Sequence, residues 1–588
     1  MRTVRTLQHL RQAVMGVLAA ALFLFAWLYR FNDPNGSFAG LTDDHFFYLI
    51  RGWQLLFGDL PVRDFVDHGA PLYYYVAAAV QLVMGRGTLP ELIFSVTVLA
   101  ACASATFWLA ARASGSIAAG LFGAAFQVLL EPRFYNYPKL LVYVAAIPLL
   151  WRFAEKPTVR LLFWLALVTA VGFLFRHDHG AFVGVAMAVL LLFMDGQRWL
   201  DRLKHALVYG AMVCALLAPY LLFVQLNGGL VSYLEQASAW AERDRNRAPV
   251  VWPGLFDNPD GVSDAATSSN VVTKGVAVVG DNIVAWTFYA EIALPFLALA
   301  LLTLSPAAFR PKWPQARAKI ATVAVLGLVL DAGFLRSPLD ARLADPSVPL
   351  AILLAWLVVA LVRLVAVPGD LRPSLRGRAM GARAGGLLAA APLLFVFAAS
   401  ITHEFYDRID KAGLTERWGK GFDRAEEVAD QVRQDWKLES WQNRPDRSEL
   451  YELAFYLNAC TTPSDRVLLQ AYMPQVLALA RRAFAGGHAD LRPGFFTSTA
   501  AQELTVSRLQ RQSVPIVLLE AGQSYEEFRK SFPIVISYLD RTYRVAGTKE
   551  FDGRFGTTLL VRRDRHPTGT YAPLGWPCYG AGVVRSST

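Results

Sequence analysis

Cysteine is scarce, with four in 588 residues, at positions 102, 214, 460 and 578. No two of them stand at the short spacings that zinc modules use, which excludes a cysteine-built metal fold. Charge is scarce too. Charged residues make up 18% of the chain, against roughly 25% in an average soluble domain. No G-x-G-x-x-G or other Gly-rich phosphate loop opens a helix, so no nucleotide fingerprint is present. Internal repeats and low-complexity tracts are lacking as well.

The chain is instead rich in apolar sequence, 54% of its residues. Hydrophobic segments run at 12–30, 71–86, 92–112, 115–130, 139–153, 160–176, 180–194, 205–225, 282–304, 318–335, 347–367 and 385–400. Most suit a hydrocarbon core of roughly 30 Å. The pattern predicts a polytopic α-helical membrane protein over 1–400 and a soluble domain over 401–588. The net charge of +10 does not point to nucleic acid, because the basic residues fall between hydrophobic segments, as around 198–204, 310–319 and 372–383. Cations concentrate in cytoplasmic loops. A basic start (Arg2, Arg5, Arg11) runs into the apolar stretch 13–29 with no small-x-small cleavage site. That reads as an uncleaved first helix with the N-terminus inside.

Parity then orders the loops. With the N-terminus inside, 31–70 is outside and the basic loop at 155–160 is inside. Four apolar segments lie between, where an odd number of crossings is required, so one does not fully span. The short, Gly- and Ala-rich segment 115–130 is the candidate. About eleven crossings plus this partial helix bring 31–70, 131–139, 176–179, the long loop 226–281 and the C-terminal domain to the outer face.

The C-terminal part reads as α/β. Helical patterning covers 420–458, and Val/Ile/Leu-rich runs predict strands at 466–470, 516–520, 543–548 and 557–562. Cys460 and Cys578 both lie there and can pair outside the cytoplasm, whereas Cys102 and Cys214 sit in apolar helices as packing residues.

The chemistry-bearing residues cluster in short polar stretches. The loop after the first segment holds Asp43, Asp44, Asp59, Asp64 and Asp67 with His45 and His68. Charged groups are costly at a membrane edge and tend to mark a site. Asp43 and Asp44 suit a general base, a metal ligand or an ion pair, and Thr42 with Asp43 equally suits the N-cap of an amphipathic surface helix over 46–57. Pro71 fits the first turn of the next span, and Tyr73, Tyr74 and Tyr75 fit an interfacial aromatic belt. Glu131 and Pro132 precede Arg133 and Lys139, cations able to hold a phosphate or to snorkel toward lipid. Arg176, His177, Asp178 and His179 stand between two apolar segments. Their His-x-His spacing admits a metal, but an arginine held by Asp178 and aimed at a phosphate fits the helical flanks better.

Taken together, these residues resemble the GT-C superfamily of membrane glycosyltransferases, particularly the family-39 type group that holds protein O-mannosyltransferases and the lipid A aminoarabinose transferase. The matching positions are Asp43 and Asp44, Tyr48, Gly58 and Asp59, Pro71 through Tyr74, and Glu131 before Pro132 where an Asp is usual. The likeness covers roughly residues 10–230. It implies a GT-C fold in a bacterial inner membrane, with a cytoplasmic N-terminus and a periplasmic or extracellular C-terminal domain. It implies a polyprenyl-phosphate sugar donor and a glycan, lipid or protein hydroxyl acceptor, joined with inversion. Asp43 then stands at the base position with Asp44 beside it. Asp64, Asp67, His68 and Glu131 would orient the acceptor or the base. Arg133, Lys139, Arg176 and His179 would hold the donor phosphate. His68 stands where the family often has lysine. The Trp-Trp-Asp signature of the metal-using oligosaccharyltransferase branch is absent, so no metal or other cofactor is expected. The competing readings are a secondary transporter, which would show inverted repeats around midplane charges, and a non-catalytic envelope-glycan assembly protein.

Overall fold

The computed structural model describes residues 2–31, 41–246, 251–257, 271–304, 314–335, 340–366, 373–411, 426–427, 430, 451–551, 553 and 555–579. Its first ten helices are α1 (Arg2–Phe31), α2 (Asp43–Leu56), α3 (Pro71–Met84), α4 (Thr88–Ser114), α5 (Ile117–Leu129), α6 (Tyr137–Glu155), α7 (Val159–Phe175), α8 (His177–Phe193), α9 (Trp199–Asn227) and α10 (Leu230–Asn246). Helices Ile283–Leu304, Ala316–Asp331, Ser347–Ala366 and Pro373–Lys411 come after them. Of the predicted helical stretch 420–458, residues 426, 427 and 430 and the part within Tyr451–Cys460 are helical, and the rest lies outside the described residues.

Among the described residues six helices are long and apolar enough to cross a membrane: His9–Phe31, Thr88–Ser114, Trp199–Asn227, Ile283–Thr303, Ala316–Leu335 and Leu388–Arg408. Their outer faces are apolar as well. Leu207 and Leu222 on α9 are 65% and 60% exposed, a surface that suits lipid and not water. Five shorter apolar helices, α3, α5, α7, α8 and Ser347–Arg363, complete the set.

The chain divides into two compact units that do not follow its sequence order. The first joins Met1–Ser37, Ser95–Leu222 and Ala241–Val432. The second joins Phe38–Phe94, Phe223–Trp240 and Arg433–Thr588.

In the first unit α5 is short, at 13 residues, or about 20 Å at 1.5 Å per residue. It is buried in protein on one side. A Cβ on Gly123 would overlap the backbone of Ala351, and one on Gly120 would overlap Ala111. Such a helix tolerates incomplete spanning because protein, not lipid, meets its backbone.

The second unit is built on a five-stranded sheet with strands β1 (Arg466–Leu469), β2 (Ala483–Phe484), β3 (Ile516–Glu520), β4 (Tyr543–Phe551) and β5 (Phe555–Arg562). Strand order is β2-β1-β3-β5-β4. β1 runs parallel to β2 and β3, and the other pairings are antiparallel. Helices from 499–542 cover it around Leu509, Phe528, Phe532, Val535 and Leu539. A separate two-stranded sheet pairs β6 (Gly569–Tyr571) with β7 (Trp576–Cys578). A disulfide ties Cys460 to Cys578, with Cα atoms 4.3 Å apart.

Candidate active site

The acidic loop folds onto this sheet. Helix α2 begins at Asp43 with Thr42 at its N-cap, although the Thr42 side chain makes no capping bond. The expected surface helix is instead packed by protein: Phe47, Leu49, Ile50, Trp53 and Gln54 are all buried. Gly52 is why α3 comes so close, since a Cβ there would stand 2.8 Å from that of Ala77. The opposite side meets β2. The Gln54 amide donates to Phe484 O and accepts from Phe484 N, each at 3.2 Å, mimicking a strand at an otherwise open sheet edge.

Each carboxylate here has its own surroundings. Asp44 Oδ1 accepts from the Tyr472 hydroxyl at 2.5 Å. Burial, then the Asp44 charge, raises the Tyr472 pKa, so the phenol stays protonated. Asp59 takes both Nη atoms of Arg466 at 2.5 and 3.1 Å, together with Gln54 Nε2 at 2.6 Å. Asp64 accepts from Arg63 and from the Leu60 amide. Its pKa is lowered because these bonds outweigh the burial that opposes them. Asp67 Oδ1 caps the entry to α3 through the amides of Gly69 and Ala70, and its Oδ2 accepts from Tyr233 on α10 at 2.9 Å. Asp43 is the first residue of α2, and its side chain lies outside the described residues.

His68 stacks on Phe47 at 5.5 Å and faces Phe496. Its pKa is held well below the usual imidazole value by burial and then by the charge of Arg51. His488 is pushed down to about 3 by burial and then Arg508. Tyr73 and Tyr74 are buried, so of the expected belt only Tyr75, 45% exposed, faces outward. Tyr73 stacks on Tyr48 of α2, and Tyr74 packs on Phe65 of the loop between α2 and α3.

These bonds also carry topology. Asp59 with Arg466, and Asp67 with Tyr233, are hydrogen-bonded pairs, and no such pair can form across a bilayer. The 41–70 loop, α10 and the α/β segment therefore share one side. Between residues 70 and 230 stand the seven helices α3 to α9. An even number of crossings is needed, so at least one of them does not cross.

The other candidate residues belong to the first unit. Glu131 has a left-handed φ of 48° and pairs with Arg408 at 3.5 Å, while Arg30 donates to Pro132 O at 2.9 Å. Lys139 is buried and bound to Asp345 at 2.5 Å, with Asn136 on the second oxygen of Asp345. Arg176 grips Asp178 with Nε at 2.7 Å and Nη2 at 2.5 Å. His179 lies 3.3 Å from Asp178 and 3.1 Å from the Tyr143 hydroxyl, whereas the His177 ring stacks on Phe173. Arg133 meets Tyr135 Oη at 3.5 Å. Among the described residues no three His, Cys, Asp or Glu side chains gather as a metal site requires. An apolar groove of about 580 Å³ runs between α1, α4 and α6, lined by Phe23, Trp108, Leu109 and Pro148.

The structure thus groups Asp44, Asp64, Asp67 and His68 in one unit, and Glu131, Arg133, Lys139, Arg176 and His179 in the other. Sequence reading did not find Tyr472, His488, Arg492, Tyr233 or Asp345, nor Arg51. The Arg51 guanidinium lies 3.4 Å over the Phe47 ring and has no carboxylate partner among the described residues. None of the six stands in a motif, and those from the α/β segment are joined to the loop by pairings more than 400 residues apart.

No family model matches the chain, and no curated protein matches it. Among solved structures it is similar to ArnT from Cupriavidus metallidurans bound to undecaprenyl phosphate, at 12% identity and a TM-score of 0.47, covering 93% of this chain and 97% of that one. It is also similar to the apo state of that ArnT, at 14% identity and 0.42, covering 93% and 98%. Likenesses at this level transfer no residue role.

Proposed function

We propose that the chain is a GT-C glycosyltransferase of the bacterial inner membrane. In this reading it moves a sugar from a polyprenyl phosphate to a hydroxyl acceptor at the outer face. The observation that carries the reading is the acidic helix start, Asp43 and Asp44, with the Asp44 carboxylate oriented by Tyr472. A general base must reach the acceptor hydroxyl and hold a defined direction. Asp43 takes the proton while the hydroxyl oxygen attacks the anomeric carbon with inversion, and polyprenyl phosphate leaves. Asp44 and His68 orient the acceptor. Asp64 and Asp67 shape the loop through Arg63 and Tyr233. Arg133 and Arg176 offset the charge of the leaving phosphate, and Lys139, His179 and Glu131 support them. The apolar groove beside α1 suits an isoprenoid tail. No cofactor takes part.

The test is mass spectrometry of lipids that co-purify with the protein, followed by turnover of that fraction to free polyprenyl phosphate. Asp43→Asn should lose turnover by about a thousandfold or more, as removal of a general base or its electrostatic partners does in other enzymes, with its melting temperature unchanged. Full turnover in this variant overturns the assignment. A cation- or proton-coupled transporter is the second reading, favoured by Glu291 and Asp331. Both are buried in spanning helices and have no hydrogen-bond partner among the described residues. It requires solute uptake into vesicles that Glu291→Gln abolishes.

A further inference from the structure

We propose that the carboxyl end of the parallel sheet is a working wall of the acidic site, with Tyr472 as the positioning residue of Asp44. This deepens the glycosyltransferase reading and rests on it. The topology is the starting point. From β1 the chain crosses to β2 on one side and returns to β3 on the other, giving the order β2-β1-β3 in parallel. A sheet reverses its winding at such a place, and the strands' carboxyl ends there form the crevice where α/β proteins bind ligands. The turn after β1 holds Gln470, Ala471 and Tyr472 in place of a Gly-rich phosphate loop.

The loops at this end meet the acidic segment directly. After β1, the Tyr472 hydroxyl donates to Asp44. After β2, Gly487 O accepts from the Val66 amide at 3.0 Å, and His488 and Arg492 lie just beyond. The Tyr472 ring is held in place. Phe47 lies 5.5 Å away, and the Arg492 guanidinium sits 4.4 Å over the ring while its Nε is bound to Asp490 at 2.5 Å. Burial keeps the phenol a donor at every working pH. Its single O–H occupies Oδ1 of Asp44 and leaves Oδ2 without a hydrogen bond among the described residues.

Docking alone does not need this bond. Asp59 with Arg466, Gln54 with Phe484, Val66 with Gly487, and Arg508 with Arg63 O already tie the loop to the sheet. Removing one hydroxyl leaves all four in place. A bond that adds little to docking but fixes one oxygen of a proposed active-site carboxylate has a positioning role.

The experiment uses the full chain in detergent with the lipid-linked sugar fraction that co-purifies with it, reading release of polyprenyl phosphate against pH. Tyr472→Phe, Asp44→Asn and the double variant are compared. A hydrogen bond to a charged group is worth about tenfold or more in rate. Tyr472→Phe should therefore lower kcat about tenfold, leave KM for the lipid unchanged and keep the melting temperature. The acid limb of the rate profile should change with it, which a loss of docking alone would not do. The double variant should be no slower than Asp44→Asn alone. Wild-type kcat and pH profile in a folded Tyr472→Phe protein overturn the proposal, as does additivity in the double variant. Should Tyr472→Phe not fold, Arg492→Gln, which loosens the ring and spares the hydroxyl, must show a change in the acid limb or the proposal fails. Full turnover in both Asp43→Asn and Asp44→Asn instead overturns the acidic-pair reading itself.

Discussion

At the residue scale, like residues differ by what they touch. Asp59 is bound by one arginine with a glutamine amide, Asp64 by a neighbouring arginine with a backbone amide, and Asp67 by two backbone amides with a tyrosine. Among those described, Asp44 and Asp64 each keep one oxygen clear of protein donors, and of the two only Asp44 stands on α2, at its start. The residue types that make chemistry were legible in the sequence, because acids at a membrane boundary are unusual. Their partners were not, because Arg466 stands 407 positions from Asp59 and pairing over that range leaves no local trace. A titration arises from the same surroundings. His488 is held near 3 in the fold, below the unfolded value of about 6.5. Below 6.5 the unfolded chain takes up a proton that the native state refuses. The stability from a neutral His488 is thus complete above pH 6.5 and drains as pH falls toward 3, by up to about 1.4 kcal/mol per pH unit. Thermal unfolding at pH 7.5 and 5.5 should show this loss, and His488→Gln should lessen it.

At the scale of elements, hydrophobic periodicity carried most of the reading. Most apolar segments and the strands at 466–470, 516–520, 543–548 and 557–562 correspond to helices and strands within a few residues, whereas 12–30 and 385–400 are the apolar parts of the longer helices Arg2–Phe31 and Pro373–Lys411. β2 escaped notice because two residues, Ala483 and Phe484, give no periodicity to read. Helix α2 misled for a different reason. Its amphipathic face suits a membrane surface and a protein surface equally, and the sequence cannot tell which one covers it. Helix α5 shows what small residues permit. A Cβ at Gly123 has no room beside Ala351, so Gly123→Ala should cost about 1–3 kcal/mol by overpacking. A melting temperature several degrees lower in detergent, with Gly184→Ala as an unaffected control, would bear this out. Gly184 has open space where its Cβ would stand.

At the scale of the whole molecule, the last apolar segment suggested a boundary near residue 400, whereas the second compact unit draws on three separate stretches of chain. Hydropathy marks where a chain leaves the membrane. It does not mark which loops afterwards pack together. The same-side requirement can be checked by labelling. With Cys102 and Cys214 changed to alanine, single cysteines in place of Arg63 and of Glu526, both exposed, should react with an impermeant reagent from one and the same side of sealed vesicles. Opposite sides would break the topology derived from the Asp59–Arg466 pair.

That pair also sets a clock. Asp59 leaves the ribosome 407 residues ahead of Arg466. At about 5–20 residues per second this is a wait of roughly 20–80 seconds. For that interval the acidic loop is already past its first membrane helix, while the strands that receive it do not yet exist. A nascent chain stalled before residue 466 therefore holds every acid of the loop and none of the groups from the sheet that orient them.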